Sequence, residues 1–173
     1  FLTAVVLLLA GVGYWFFGRS YTPAIRDANG KVIPNSIASL EKIKLGGVDQ
    51  WLVIRGQDTS NPVLLFLSGG PGGSELGRVR YFNEPLEKNF TVVVWEQRGC
   101  GKSFPAVNPK EDVTVTQYTN DIIELSEYLK ERFNQEKIYL LGHSWGTIIG
   151  VRAAQARPDL FYAYIGTGQM VNL

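Results

Sequence analysis

The run Gly142-His143-Ser144-Trp145-Gly146 sets a hydroxyl nucleophile between two glycines, each two residues away from it. It follows a short apolar segment, Lys137 to Leu141, and opens a helix-compatible one. Strand, sharp turn and helix is the setting in which a serine is held at a strained backbone conformation with its hydroxyl lifted clear of a sheet. Glycines on either side then let strand and helix approach closely. The pentapeptide alone is a weak signal, because short Gly/Ser patterns recur by chance and an ordinary glycine-rich turn fits it equally well. Two further segments strengthen it. Pro62 to Leu67 is a continuous apolar, β-prone run that breaks into Ser68-Gly69-Gly70-Pro71-Gly72-Gly73-Ser74-Glu75, a buried strand delivering a loop with bare backbone amides. Phe90 to Trp95 is another apolar strand, running into Glu96-Gln97-Arg98-Gly99-Cys100-Gly101-Lys102-Ser103. Acyl transfer needs two N–H donors aimed at the oxygen that becomes negative in the tetrahedral intermediate, and three strands ending in loops at one edge of a parallel sheet can supply them.

Ser-Gly-Gly-Pro-Gly-Gly at 68–73, Trp-Glu-Gln-Arg-Gly-Cys-Gly-Lys-Ser at 95–103 and Gly-His-Ser-Trp-Gly at 142–146, in that order, resemble the proline iminopeptidases of the α/β-hydrolase family. Their pattern is approximately His-Gly-Gly-Pro-Gly, then Asp-Gln-Arg-Gly-x-Gly-x-Ser, then Gly-x-Ser-Trp-Gly. The resemblance covers roughly Lys42 to the end of the chain. It implies a serine hydrolase that removes an N-terminal residue, often proline, from peptides or amides without metal or organic cofactor. By the same resemblance Ser144 is the nucleophile, and the amides of Gly70 and Trp145 form the oxyanion hole. The sequence departs from the pattern at Ser68, where the family has His, and at Glu96, where it has Asp. Neither position attacks the substrate. Glu96 and Arg98 are expected to brace the loops rather than touch substrate, because polar side chains beside glycine-rich loops bond backbone groups.

A serine nucleophile needs a histidine to take its proton and an acid to orient that histidine, in the chain order Ser, Asp or Glu, His. The chain has one histidine, His143. It lies inside the turn directly beside the nucleophile, where successive side chains diverge, so it reads as a structural residue. After Ser144 the only acidic residue is Asp159, in an Arg-Pro-Asp turn. The expectation is therefore a fragment, with the triad acid, the triad histidine and the cap beyond Leu173. A complete pseudoenzyme is the alternative, but Leu160 to Ile165 would then form an exposed apolar edge strand.

The N-terminal stretch carries the other expectation. From Phe1 to Gly18 there is no charged residue before Arg19, and about 18 residues at 1.5 Å each give about 27 Å, close to the hydrocarbon thickness of a bilayer. Tyr14, Trp15, Phe16 and Phe17 beside Arg19 suit an aromatic belt. A cleaved signal peptide would end in small residues, and a core helix would carry a polar face. The sequence thus predicts a single-pass membrane anchor over residues 1–18, a tether over 19–39 rich in turn formers, and the N-terminal part of an α/β-hydrolase domain over 40–173. Within that domain Leu40 to Leu45 and Val48 to Arg55 flank Gly46-Gly47 as a hairpin. Tyr118, Ile122, Leu125, Leu129 and Phe133 recur at helical spacing over Gln117 to Phe133.

Composition excludes some functions. A formal charge of +1 gives no field that favours nucleic acid. One cysteine excludes an intramolecular disulfide, and Cys100 reads as a loop filler. No His, Cys or carboxylate positions fall at metal-ligand spacing. Gly99 to Ser103 ends in Gly-Lys-Ser like a phosphate-binding loop, but Glu96 stands where that loop needs glycine. The partner expected is a peptide or a small amide or ester. Besides the aminopeptidase reading, an esterase of the same fold and a non-catalytic tethered homologue stay open, because a fold does not fix a substrate.

Overall fold

The computed structural model describes residues 2–14, 20–108 and 113–171. Six strands form one sheet in the order β1-β2-β4-β3-β5-β6. The strands are β1 (Ile37–Leu45), β2 (Val48–Gly56), β3 (Val63–Leu67), β4 (Thr91–Glu96), β5 (Ile138–His143) and β6 (Phe161–Thr167). The first two make the expected hairpin, with Leu45 opposite Val48 across the two glycines. β2 is antiparallel to β4, and β4, β3, β5 and β6 run parallel.

The parallel strands are joined by α2 (Leu76–Phe82), α3 (Val115–Arg132) and α4 (Trp145–Ala156), and α1 (Leu2–Gly13) precedes the sheet. Every residue of β3 is buried, as a continuous apolar run demands when helices cover both faces. Strand alternation divides the core. Leu65, Leu67, Val93, Trp95, Ile138 and Leu140 pack with the α3 stripe and with Ile149 and Ala153 of α4. Phe66, Val92 and Val94 point to the other face, against Val79 of α2.

The sequence places the helix from Gln117 to Phe133, whereas α3 begins two residues earlier. The reason is a reciprocal cap: the Gln117 amide donates to Thr114 Oγ1 at 3.2 Å, and the Thr114 amide donates to Gln117 Oε1 at 2.8 Å. Thr114→Ala leaves the Gln117 amide without its acceptor and is expected to cost about 1 kcal/mol in urea unfolding, with an unchanged m-value.

The expected transmembrane helix is not found. α1 spans 12 residues, about 18 Å at 1.5 Å per residue, against about 30 Å of hydrocarbon. Among the described residues no helix is long and apolar enough to cross a membrane. An uncharged run sets an upper limit on helix length, and among the described residues the α-helical span is shorter than that run. The aromatic cluster at Trp15, Phe16 and Phe17, with Arg19, lies outside the described residues. The segment before β1 contacts the domain: the buried Arg55 donates from Nη1 to Thr22 Oγ1 and to the Pro23 carbonyl, both at 2.6 Å, and from Nε to Glu87 Oε1 at 2.8 Å. Ile25 is buried as well.

Candidate active site

Leu67 at the end of β3 is level with Trp95 of β4 and with Gly142 of β5. The glycine-rich loop, the 96–103 turn and the Ser144 turn therefore leave the sheet at one edge. The chain passes from β3 to β4 on one side and then crosses back to β5 on the other. The crevice between β3 and β5 is the point at which such sheets bind ligands.

Ser144 has φ 50° and ψ −116°, a conformation that costs a non-glycine residue of order 1–3 kcal/mol. Its surroundings impose it. The Ser144 amide donates to the Thr167 carbonyl of β6 at 3.0 Å, and its own carbonyl accepts from the Thr147 amide at 2.8 Å and from Thr147 Oγ1 at 2.6 Å. A Cβ on Gly142 would stand 2.6 Å from the Gly146 carbonyl oxygen, and one on Gly146 would stand 2.2 Å from that of Leu67. Those contacts require the two glycines of the pentapeptide.

Facing Ser144 is the loop after β3. A Cβ on Gly69 would be 3.3 Å from Ser144 Cβ, so loop and turn touch. Gly70, exposed and at φ +134°, follows. Among the described residues neither the Gly70 amide nor the Trp145 amide donates to an acceptor in this chain. For Trp145 this follows from its place at the first turn of α4, where amides have no intrahelical partner.

Glu96 and Arg98 are buried beneath this surface. Glu96 Oε1 accepts from Ser74 Oγ and its Oε2 accepts from the Lys102 amide, each at 2.7 Å. Arg98 binds Asp121 through two bonds of 2.8 Å, and that partner holds its guanidinium pKa above the usual arginine value. Among the described residues no hydrogen bond joins the His143 ring to Ser144. Its Nδ1 lies 3.1 Å and 3.2 Å from the two carboxylate oxygens of Glu75.

Two residues of the site were not singled out from the sequence. Gln97 donates from Nε2 to the Ser68 carbonyl at 3.0 Å and accepts from Trp145 Nε1 at 3.2 Å, tying the glycine-rich loop to the Ser144 turn. Glu75 accepts from the Gly69 amide at 2.8 Å while holding His143. The one available signal for Glu75 was a lone carboxylate closing a glycine-rich run. Beside the pair lies a cleft of about 200 Å³ walled by Phe66, Phe82, Leu141 and Thr167. Among the described residues no three His, Cys, Asp or Glu side chains stand together to hold a metal ion.

Burial, and secondarily the charge of Glu96, pushes the Cys100 thiol up to about 11. A raised thiol pKa favours the protonated form in the folded state. The associated stability is complete below the unfolded value of about 8.5 and is lost as pH rises toward the folded one. Alkylation by iodoacetamide at pH 8 is expected to be at least about 100-fold slower in native than in urea-unfolded protein. The wild type should also lose stability relative to Cys100→Ala between pH 9 and about 11.

A family model described as the alpha/beta hydrolase fold matches residues 62–172, and the chain belongs to that family. It is 44% identical over 137 residues to the probable aminopeptidase YbaC of Bacillus subtilis (strain 168), covering 79% of this chain and 43% of that protein. It is 36% identical over 104 residues to a proline iminopeptidase of Arabidopsis thaliana, covering 60% of this chain and 25% of the relative. The chain thus spans less than half the length of these curated relatives. Among solved structures, a proline iminopeptidase-related protein from Thermus thermophilus matches with a TM-score of 0.62 at 24% identity, over 75% of this chain and 44% of that one. Epoxide hydrolase A from Mycobacterium thermoresistibile matches with a TM-score of 0.60 at 26% identity, over 75% and 39%. These likenesses carry the fold.

Proposed function

We propose that the chain is the nucleophile-bearing part of a serine hydrolase that cleaves the N-terminal amide bond of peptides through an acyl-enzyme on Ser144. The observation that carries this reading is the strained Ser144 at the sheet's crevice, with the Gly70 and Trp145 amides nearby and without an acceptor among the described residues. Ser144 Oγ attacks the carbonyl carbon of the bond after the first residue, and its proton passes to a general base. The carbonyl oxygen, now negative, accepts from the two amides, an interaction of the kind worth about 3 kcal/mol per donor. The intermediate collapses, the amine leaves with the proton, and water then cleaves the ester by the same steps.

The base in this reading is a histidine from the part of the relatives' length that this chain does not span, oriented by an Asp or Glu. His143 is engaged by Glu75, which supports a structural role for it. The names of the relatives support an amino-terminal amide as substrate. The test is to treat protein from the full reading frame with an alkyl fluorophosphonate and map the adduct by mass spectrometry. The adduct is expected on Ser144. An unlabelled Ser144 in protein that hydrolyses a proline arylamide would overturn the reading.

A further inference from the structure

Catalysis by two backbone amides depends on where they point, and the Gly70 amide sits on a loop of glycines and serines with little stiffness of its own. Two side chains tie that loop to the nucleophile turn. Gln97 grips the Ser68 carbonyl from below. Glu75, only 9% exposed, returns from the far end of the loop to accept the Gly69 amide at 2.8 Å and to meet His143 Nδ1 at 3.1 Å. A carboxylate is acceptor-only when ionised, so the imidazole donates its Nδ1 hydrogen to it. The remaining partner, Arg78, lies 3.3 Å from Oε1 and is 69% exposed, an ion pair that contributes little.

The geometry has a directional consequence. Glu75 occupies the Gly69 amide, which leaves the next amide, that of Gly70, as the free donor beside Ser144. The peptide between Gly69 and Gly70 is planar, so its N–H is opposed to its C=O. That carbonyl oxygen is 3.3 Å from the place a Cβ on Gly73 would occupy, and the Gly70 N–H is therefore turned away from Gly73. Fixing the Gly69 amide on Glu75 restrains the residue whose carbonyl shares a peptide plane with the Gly70 donor.

We propose that Glu75 is a positioning residue: by accepting the Gly69 amide and the His143 imidazole at once, it locks the glycine-rich loop against the nucleophile turn and aims the Gly70 amide at the developing oxyanion. This inference rests on the serine-hydrolase reading above. What matters in it is the acceptor, not the charge. Glu75→Gln keeps a carbonyl oxygen for Gly69 and offers an N–H to His143, which accepts it at Nδ1 by taking the other neutral tautomer, whereas Glu75→Met fills a similar volume with no strong acceptor.

The experiment uses full-reading-frame protein and measures kcat and KM on a proline arylamide, together with the affinity of a boronic acid whose tetrahedral adduct occupies the oxyanion site. Ser144→Ala serves as reference. Glu75→Gln is expected to stay within about 3-fold of wild type, while Glu75→Met loses roughly 30- to 100-fold in kcat, as a donor displaced by about 1 Å should. KM should stay within about 2-fold, with boronate affinity falling in parallel with kcat. A merely structural role would lower the active fraction and leave the boronate affinity of the folded enzyme unchanged. That result, or equal kcat in the Gln and Met variants, overturns the inference alone. Should the Met variant not fold, Glu75→Gln decides: a loss beyond 30-fold there assigns the effect to charge and overturns the inference. Activity retained in Ser144→Ala removes the reading of the site and this inference together.

Discussion

Ser144→Ala is expected to lower hydrolysis of a proline arylamide by the full-reading-frame protein at least about 10⁴-fold, without a measurable change in unfolding midpoint. The size follows from removing the attacking atom, which in serine hydrolases costs about 10⁴ to 10⁶ and leaves the residual contributed by binding and the oxyanion hole. The unchanged stability follows from the geometry. The bonds that hold the turn run through the Ser144 amide and carbonyl, to Thr167 and Thr147, and not through its hydroxyl. Alanine carries the same Cβ into the same backbone conformation, so the strain at φ 50° is unchanged. The loss should lie in kcat, with KM within a few-fold, and the fluorophosphonate adduct should disappear from the 144 peptide. A variant that retains more than about 1% of activity would place the nucleophile elsewhere.

The parts of this site that were legible in the sequence are those in which a local pattern has one physical use. The glycines at 142 and 146 flank a serine between a strand pattern and a helix pattern, and both sit where a side chain would strike backbone. The apolar run before Ser68 has no polar alternation, and the structure buries all five residues of β3. The α3 stripe was visible, yet its start was misplaced because Thr114 and Gln117 act through each other and neither is apolar. The expectation of a membrane-spanning α1 is corrected for a different reason: an uncharged composition does not specify the length of a helix. Glu75 and Gln97 were invisible as site residues because their partners are remote in the chain. Glu75 and His143 are 68 positions apart, and Gln97 and Trp145 are 48 apart. Only the register of β3 with β4 and β5 brings these loops together. The same holds for Asp121, which occupies an unremarked polar position of α3 and is 1% exposed.

Asp121 carries the second large effect. Its Oδ2 accepts from Arg98 Nε at 2.8 Å and from Gln50 Nε2 at 2.9 Å, and its Oδ1 accepts from Arg98 Nη2 at 2.8 Å. Gln50 in turn accepts from Trp95 Nε1 at 3.0 Å, and Tyr118 OH donates to the Arg98 carbonyl at 3.2 Å. Asp121→Ala removes three acceptor contacts and strands a guanidinium whose side chain is 8% exposed. Breaking one side of a buried pair in this way is expected to cost about 3–5 kcal/mol. The check is urea unfolding, read as a fall in midpoint with an unchanged m-value. Replacing both partners, Arg98→Met with Asp121→Leu, removes the stranded charge and should restore most of the loss, because apolar groups of similar volume substitute for buried pairs at little net cost. Activity need not follow stability. Arg98 is adjacent to Gln97, and Gln97 joins Ser68 to Trp145, so the double variant that recovers its midpoint should still show a reduced kcat if the ion pair holds the turn after β4 in register with the nucleophile. A single Asp121→Ala variant that loses under about 1 kcal/mol would mean that packing around Trp95 and Tyr118, not the ion pair, fixes that turn.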